Sequence, residues 1–242
     1  MQINQVSIQS CQVSDLQLLS EGIYRVILKP HQGYIPDYRA GQYLEILLAG
    51  GEACAFSIAS PPVPMQKELE LHIQKLPSSA NSIQLFNELE QGSVSIRMPK
   101  GRCCLAGIPD KPLVFIAAGT GFAQMKSMIE FSLEQPGHKD IYLYWGARSP
   151  EGFYMPNLPI HWASSYFHYH PVVSDALGED GWKGRQGLLF EAVIDDKNLF
   201  PGSEIFISGS PQMVYATFDA LVAVNFTPEN IHSDVFEYAP RS

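Results

Sequence analysis

Leu113-Val114-Phe115-Ile116-Ala117-Ala118-Gly119-Thr120-Gly121-Phe122 is the stretch that decides the fold. Its first half, Leu113 to Ala117, is a continuous apolar run with β-branched residues at Val114 and Ile116. That is the composition of a strand covered on both faces. A glycine turn follows, and then a stretch of helical character from about Gln124 to Glu134. Strand, tight turn and helix are the opening parts of a parallel α/β unit. Toward the C-terminus the alternation continues. Ile141 to Trp145 and Phe167 to Val173 read as strands, and Leu188 to Ile194 as a helix. Ile205 to Ile207 reads as a further strand, and about Pro211 to Val224 as a closing helix.

Toward the N-terminus the rhythm is different. Gly107-Ile108-Pro109-Asp110-Lys111-Pro112 marks a hinge. Before it, short stretches rich in β-branched and aromatic residues occur at Tyr24–Leu28, Tyr43–Ile46, Leu69–Ile73 and Val94–Met98. Gly33, Pro36, Gly41, Gly50-Gly51, Pro61-Pro62, Pro64 and Gly92 separate them. Such spacing predicts an antiparallel β-barrel, with one helix around Ser82 to Leu89. The expected organisation is therefore a barrel over 1–107 and a parallel-sheet α/β domain over 108–242.

Composition agrees with two packed domains. The chain has 242 residues, 45% of them hydrophobic and 17% charged, which is ample for a core. With 16 basic and 25 acidic residues the net charge is −9, which argues against a nucleic-acid partner. Cys11, Cys54, Cys103 and Cys104 form no C-x-x-C pair and no iron–sulfur spacing, so ordinary thiols are expected. Met1 to Ser10 lacks a signal-peptide pattern, and no apolar run is long enough for a membrane span. The expectation is a cytoplasmic protein with no membrane association.

Two turns suggest a nucleotide. Gly119-Thr120-Gly121 ends a strand and opens a helix, where backbone N–H groups and the helix dipole can hold a pyrophosphate. Gln124 stands where a third glycine would complete G-x-G-x-x-G, so a tight connection without a ligand is the competing reading. Ser208-Gly209-Ser210-Pro211-Gln212-Met213 repeats the design, with a proline placed to start a helix. Arg148, in Trp145-Gly146-Ala147-Arg148-Ser149, can reach a ribose or its phosphate, or can be a solvated surface arginine. His168 and His170 share one side of a strand but lack a third metal ligand at suitable spacing. In Cys54-Ala55-Phe56-Ser57-Ile58-Ala59-Ser60, the Ser57 hydroxyl faces away from Phe56 and Ile58.

The ordered set of motifs resembles the ferredoxin–NADP reductase superfamily, and within it the small NAD(P)H:flavin oxidoreductases. The set is Tyr38-Arg39-Ala40-Gly41-Gln42-Tyr43, Phe56-Ser57-Ile58-Ala59-Ser60, Leu69-Glu70-Leu71-His72-Ile73, Pro99-Lys100-Gly101 and Ala118-Gly119-Thr120-Gly121. Tyr144-Trp145-Gly146-Ala147-Arg148, Gly181-Trp182-Lys183-Gly184-Arg185-Gln186-Gly187, Ser208-Gly209-Ser210-Pro211 and Asp234-Val235-Phe236 complete it. The resemblance runs from about Val6 to Phe236 and implies a flavin-binding barrel, a nucleotide-binding domain and a flavin ring in the cleft between them. It implies flavin contacts from Ala55, Phe56, Ser57, Ile58, His72 and Ile73. It implies nucleotide contacts from Gly119, Thr120, Gly121, Phe122, Arg148, Gly209, Ser210, Pro211 and Met213, with Phe236 covering a ring or packing as a last strand or tail. Cys54-Ala55 stand where the family has an arginine that pairs with flavin phosphate. That difference suits a loosely held flavin. Gln124 replaces a frequent proline, and Ser208 replaces a cysteine common before the second turn.

The implied reaction is hydride transfer from NADH or NADPH to riboflavin, FMN or FAD. Ser57 is the candidate donor at the flavin nitrogen that receives the hydride, and Thr120 the candidate for orienting the nicotinamide. Two other readings stand beside it. One is a flavoprotein reductase subunit that passes electrons to a protein acceptor. The other is a degenerate, non-catalytic nucleotide-binding module.

Overall fold

The computed structural model describes residues 5–175 and 181–241. Part of the segment read for a signal peptide, residues 1–4, lies outside them. The chain forms two compact units. Met1–Ala106 and Lys126–Phe131 make the first; Gly107–Met125 and Ser132–Ser242 make the second. Against an expected division at 107/108, Gly107 joins the second unit. Lys126–Phe131 joins the first because side chains there bond to the backbone of Ala59 and Ser60.

The first unit contains β1 (Ser7–Ser20), β2 (Ile23–Pro30), β3 (Tyr43–Leu47), β4 (Ala53–Ser57), β5 (Leu69–Gln74), α1 (Ala80–Glu90) and β6 (Ser93–Lys100). The strands form one antiparallel sheet in the order β4-β3-β6-β1-β2-β5. An antiparallel bridge between Ile58 and Leu71 joins the two edge strands and closes the sheet as a barrel. Closure removes the exposed strand edges. Inward residues such as Val26, Leu28, Leu44, Ile46, Ile58, Leu69, Leu71, Ile96 and Met98 make the core, which α1 completes with Leu85, Phe86 and Leu89.

The second unit contains β7 (Leu113–Ala118), α2 (Phe122–Leu133), whose middle belongs to the first unit, and β8 (Ile141–Ala147). Then come α3 (Leu158–His161), β9 (Phe167–Val173), β10 (Arg185–Gln186), α4 (Leu189–Asp195), β11 (Glu204–Ser208), α5 (Pro211–Ala223), β12 (Ile231–His232) and α6 (Val235–Tyr238). Its sheet is parallel throughout, in the order β10-β9-β8-β7-β11-β12. Val114, Ile116, Tyr144, Ile205 and Ile207 pack on one face against Leu189 and Val193 of α4 and Val214 and Leu221 of α5. No helix among the described residues is long and apolar enough to cross a membrane.

Two sequence expectations change. Val235 and Phe236 do not form a last strand. They lie in the turn of helix α6, where Glu237 and Tyr238 donate backbone N–H bonds to Asp234. The edge strand comes just before it, at Ile231–His232. The 14-residue β1, which composition does not announce, lies in the middle of the first sheet.

Candidate active site

The strand order of the second unit reverses between β7 and β11, since β8 to β10 extend to one side and β12 to the other. In open parallel sheets ligands bind outside the carboxyl ends of the strands at such a switch point. The two glycine turns lie there. β7 ends at Ala118 and runs into a 3-10 turn over Gly119–Gly121, and β11 ends at Ser208 before Gly209-Ser210.

Their glycines do different things. A Cβ on Gly121 would lie 2.3 Å from the Ser208 carbonyl oxygen, so this glycine lets the two turns touch. A Cβ on Gly209 would lie 2.3 Å from the Met213 methyl and 3.2 Å from the Ala118 Cβ. Gly119 is exposed, has φ +53, and faces open space. It is the position at which a phosphate group can approach the backbone. Behind it, the Trp145 indole N–H donates to the Gly119 carbonyl at 3.3 Å, and the Phe122 and Trp145 rings stack at 3.8 Å and 7°. In the second turn Ser210 caps α5 by accepting from the Met213 N–H at 3.3 Å, and Pro211 takes the first helical position.

In the first unit β4 alternates as its sequence requires. Cys54, Phe56 and Ile58 pack toward the barrel core; Ala53 and Ala55 are exposed, and Ser57 is half-buried. The Ser57 hydroxyl has no hydrogen-bond partner among the described residues. Small side chains and one available hydroxyl suit a flat ring laid along the strand. The surroundings of Cys54 do not suit a phosphate. Burial first, then the carboxylates of Glu52 and Glu88, raise the pKa of the Cys54 thiol. Asn81, in the first turn of α1, donates to Glu52 at 3.4 Å. The site thus fits an isoalloxazine ring and offers no counter-charge at position 54 to a flavin phosphate.

A buried ionic group lies beside the end of this strand. Glu70 accepts from His72 Nε2 at 2.8 Å, and it lies 3.4 Å from the Lys126 ammonium and 3.6 Å from Arg25. Burial opposes ionisation of Glu70. The His72 hydrogen bond and the Lys126 charge overcome it and hold the carboxyl at about 2. Burial lowers the His72 pKa despite the Glu70 hydrogen bond, so the ring is neutral at neutral pH and donates its Nε2 proton. Both depressed values stabilise the fold at higher pH. The His72 contribution is complete above its unfolded pKa of about 6.5, and that of Glu70 above about 4.5. Both decline on acidification, the Glu70 part through about pH 2. Glu70 alone contributes on the order of 3 kcal/mol. Urea midpoints at pH 7, 5 and 3 should therefore fall steeply for the wild type and less for Glu70→Gln. Equal slopes in the two proteins would exclude Glu70 as the source.

A family model described as Oxidoreductase NAD-binding domain matches residues 115–219. Over 213 residues the chain is 31% identical to an NAD(P)H-flavin reductase of Vibrio harveyi, covering 85% of this chain and 88% of that protein. A ferredoxin NADP+ reductase from Neisseria gonorrhoeae, solved with bound FAD and NADP, shares the fold at a TM-score of 0.73 and 21% identity, covering 94% of this chain and 97% of that one. The chain belongs to the ferredoxin–NADP reductase superfamily. It is an oxidoreductase. An Amycolatopsis cytochrome P450 reductase of the same fold has a TM-score of 0.84 at 25% identity, covering 95% of this chain and 70% of that one.

Several residues singled out from the superfamily motifs have their side chains committed elsewhere. Ile58, Ile73 and Phe122 are fully buried, and His72 is bonded to Glu70. At these positions only the backbone is left to meet a ligand. Phe236 is half-buried and packs against Tyr215 and Phe218 of α5, at 5.6 and 5.3 Å between ring centres. Met213 folds over Gly209, and Thr120 is half-buried within its turn. Arg148 is 90% exposed and pairs with Asp175 at 3.0 Å. His168 stacks on Tyr142 and His170 on Tyr144, and no group of three or more metal-ligating side chains occurs among the described residues. None of the four cysteines forms a disulfide. Gln124, at the position of the superfamily proline, is buried and donates to Asp234 at 2.9 Å, tying α2 to the C-terminal turn. Sequence reasoning missed that tie and the role of Lys126. In each case the polar partner is remote in sequence.

Proposed function

We propose that this chain catalyses hydride transfer from NADH or NADPH to a flavin that it holds loosely. Membership of the superfamily supports this reading. The observation that carries it is the available Ser57 hydroxyl on β4, with alanines as its outward neighbours. When bound, the nicotinamide supplies the hydride and the flavin accepts it. The chain's residues bind and orient. Gly119 exposes its backbone at the switch point, and the missing side chain of Gly121 lets the two turns approach each other closely. Ser57 donates a hydrogen bond where negative charge develops. Glu52 and Glu88 beside Cys54 disfavour a phosphate there, so riboflavin serves as well as FMN.

The test mixes the purified protein with NADH or NADPH and riboflavin, FMN or FAD, and follows nicotinamide oxidation. Turnover without any added protein is expected. No oxidation with any pair overturns the proposal. Riboflavin and FMN should bind within about threefold of each other. Cys54→Arg should shift the ratio toward FMN by about tenfold, the scale of one charge-assisted hydrogen bond. Wild-type protein that holds FMN ten times more tightly than riboflavin overturns the reading of position 54. A second reading, electron delivery to a protein acceptor, draws on the structural likeness to the Amycolatopsis cytochrome P450 reductase. Tightly retained flavin with negligible turnover of free flavin would favour it.

A further inference from the structure

Beyond the end of β4 the backbone leaves the regular ladder, and its carbonyl groups need other partners. Ala59 is fully buried, and its N–H donates to the Glu70 carbonyl at 2.7 Å. The Ala59 carbonyl instead accepts from the Lys126 ammonium at 3.3 Å. The Ser60 carbonyl accepts from the Ser127 hydroxyl at 2.8 Å and the Tyr38 hydroxyl at 3.1 Å. The Lys126 side chain is only 7% exposed, and Ser127 is fully buried. Besides Ala59, the ammonium has Glu130 at 2.9 Å and Glu70 at 3.4 Å, three acceptors for its three protons. Glu70 closes the ring, since its own N–H donates to the Ser60 hydroxyl at 3.2 Å. If this position only filled space, an apolar side chain would do so without desolvating a charge. The ammonium adds direction: it fixes a carbonyl two residues from Ser57.

We infer that Lys126 and Ser127 are positioning residues for the flavin-holding strand, fixing the path of Ser57 through the carbonyls of Ala59 and Ser60. The inference rests on the assignment of a flavin to β4. Neither side chain need touch the flavin. Both act through the backbone, and small displacements of a reacting group are costly.

The test uses the full-length protein and compares Lys126→Met, Lys126→Arg and Ser127→Ala with the wild type. Riboflavin affinity is read from quenching of flavin fluorescence, NADH affinity from nicotinamide fluorescence, and Tm from calorimetry. Lys126→Met and Ser127→Ala should each weaken riboflavin binding about tenfold, the scale of one directed hydrogen bond. NADH affinity should not change, and Lys126→Arg should recover most of the loss. A purely structural role would lower Tm while the folded variants kept wild-type riboflavin affinity, and that result overturns the inference. If Lys126→Met does not fold, Ser127→Ala decides, because it removes one hydrogen bond and no charge. Wild-type protein that binds no riboflavin removes the flavin assignment itself. Wild-type binding with unaltered variants removes only the positioning role.

Discussion

Gly121→Ala is expected to destabilise the second unit by about 3 kcal/mol, whereas Gly119→Ala, two residues away, should cost only about 1 kcal/mol. At Gly121 the added methyl would lie 2.3 Å from the Ser208 carbonyl oxygen and 2.6 Å from its carbon. These are backbone atoms at the end of β11, where Ser208 is paired to Ala117 of β7, so they cannot swing aside like the end of a flexible side chain. The turn must open or β11 must slide. At Gly119 a methyl meets nothing, and the cost is that of a left-handed backbone, φ +53, in a residue with a side chain. The difference between the variants isolates close approach from backbone strain. Urea denaturation of both, with fluorescence and circular dichroism followed together, measures it. Equal losses would mean that contact between the turns is not what Gly121 provides.

Ser57→Ala should lower kcat for flavin reduction about 10- to 100-fold and leave the KM for the nicotinamide unchanged. The estimate comes from one hydrogen bond to a group gaining charge, about 1.5–3 kcal/mol, with roughly tenfold in rate for each 1.4 kcal/mol. Ser57 is half-buried at the end of β4, and alanine is already its outward neighbour at Ala55, so the substitution should leave the barrel intact. Ser57→Thr retains the hydroxyl and should recover part of the rate. Steady-state kinetics with riboflavin at several NADH concentrations separates the possibilities. A kcat within twofold of wild type removes Ser57 from the reaction. A changed flavin KM with constant kcat would make it a ground-state contact instead.

The sequence of the second unit disclosed most of its architecture. Leu113–Ala117 reads as a buried strand because its side chains are apolar on both faces, and the strand runs from Leu113 to Ala118 with all but its last residue buried. Periodicity and a proline at the first helical position disclosed α5 within a residue of its end. β1 was illegible for the opposite reason. Ser7 to Ser20 is rich in serine and glutamine, and most of its side chains are exposed or half-buried. Pairing with β2 on one side and β6 on the other makes it a strand, and no local signal carries that. The C-terminal turn misled because Val235-Phe236 is too short an apolar pair to reveal a period.

At the candidate site, turn chemistry and strand alternation were visible, so Gly119, Gly121, Gly209 and Ser57 could be singled out. Which glycine meets backbone and which meets open space was not visible, since Ser208 is 87 positions from Gly121. Nor was the fate of His72, since a histidine on a strand shows neither its burial nor its bond to Glu70. Long-range polar pairs such as Lys126–Ala59 and Gln124–Asp234 leave no trace in local pattern.

The stack of Phe122 on Trp145 has an optical consequence. All three tryptophans, Trp145, Trp162 and Trp182, belong to the second unit, so tryptophan emission, excited apart from tyrosine, comes from that half alone. One of them is wired to the glycine turn, because the Trp145 indole proton rests on the Gly119 carbonyl. If a coenzyme occupies that loop, as proposed, it should perturb the chromophore directly beneath it and give an occupancy gauge without a label.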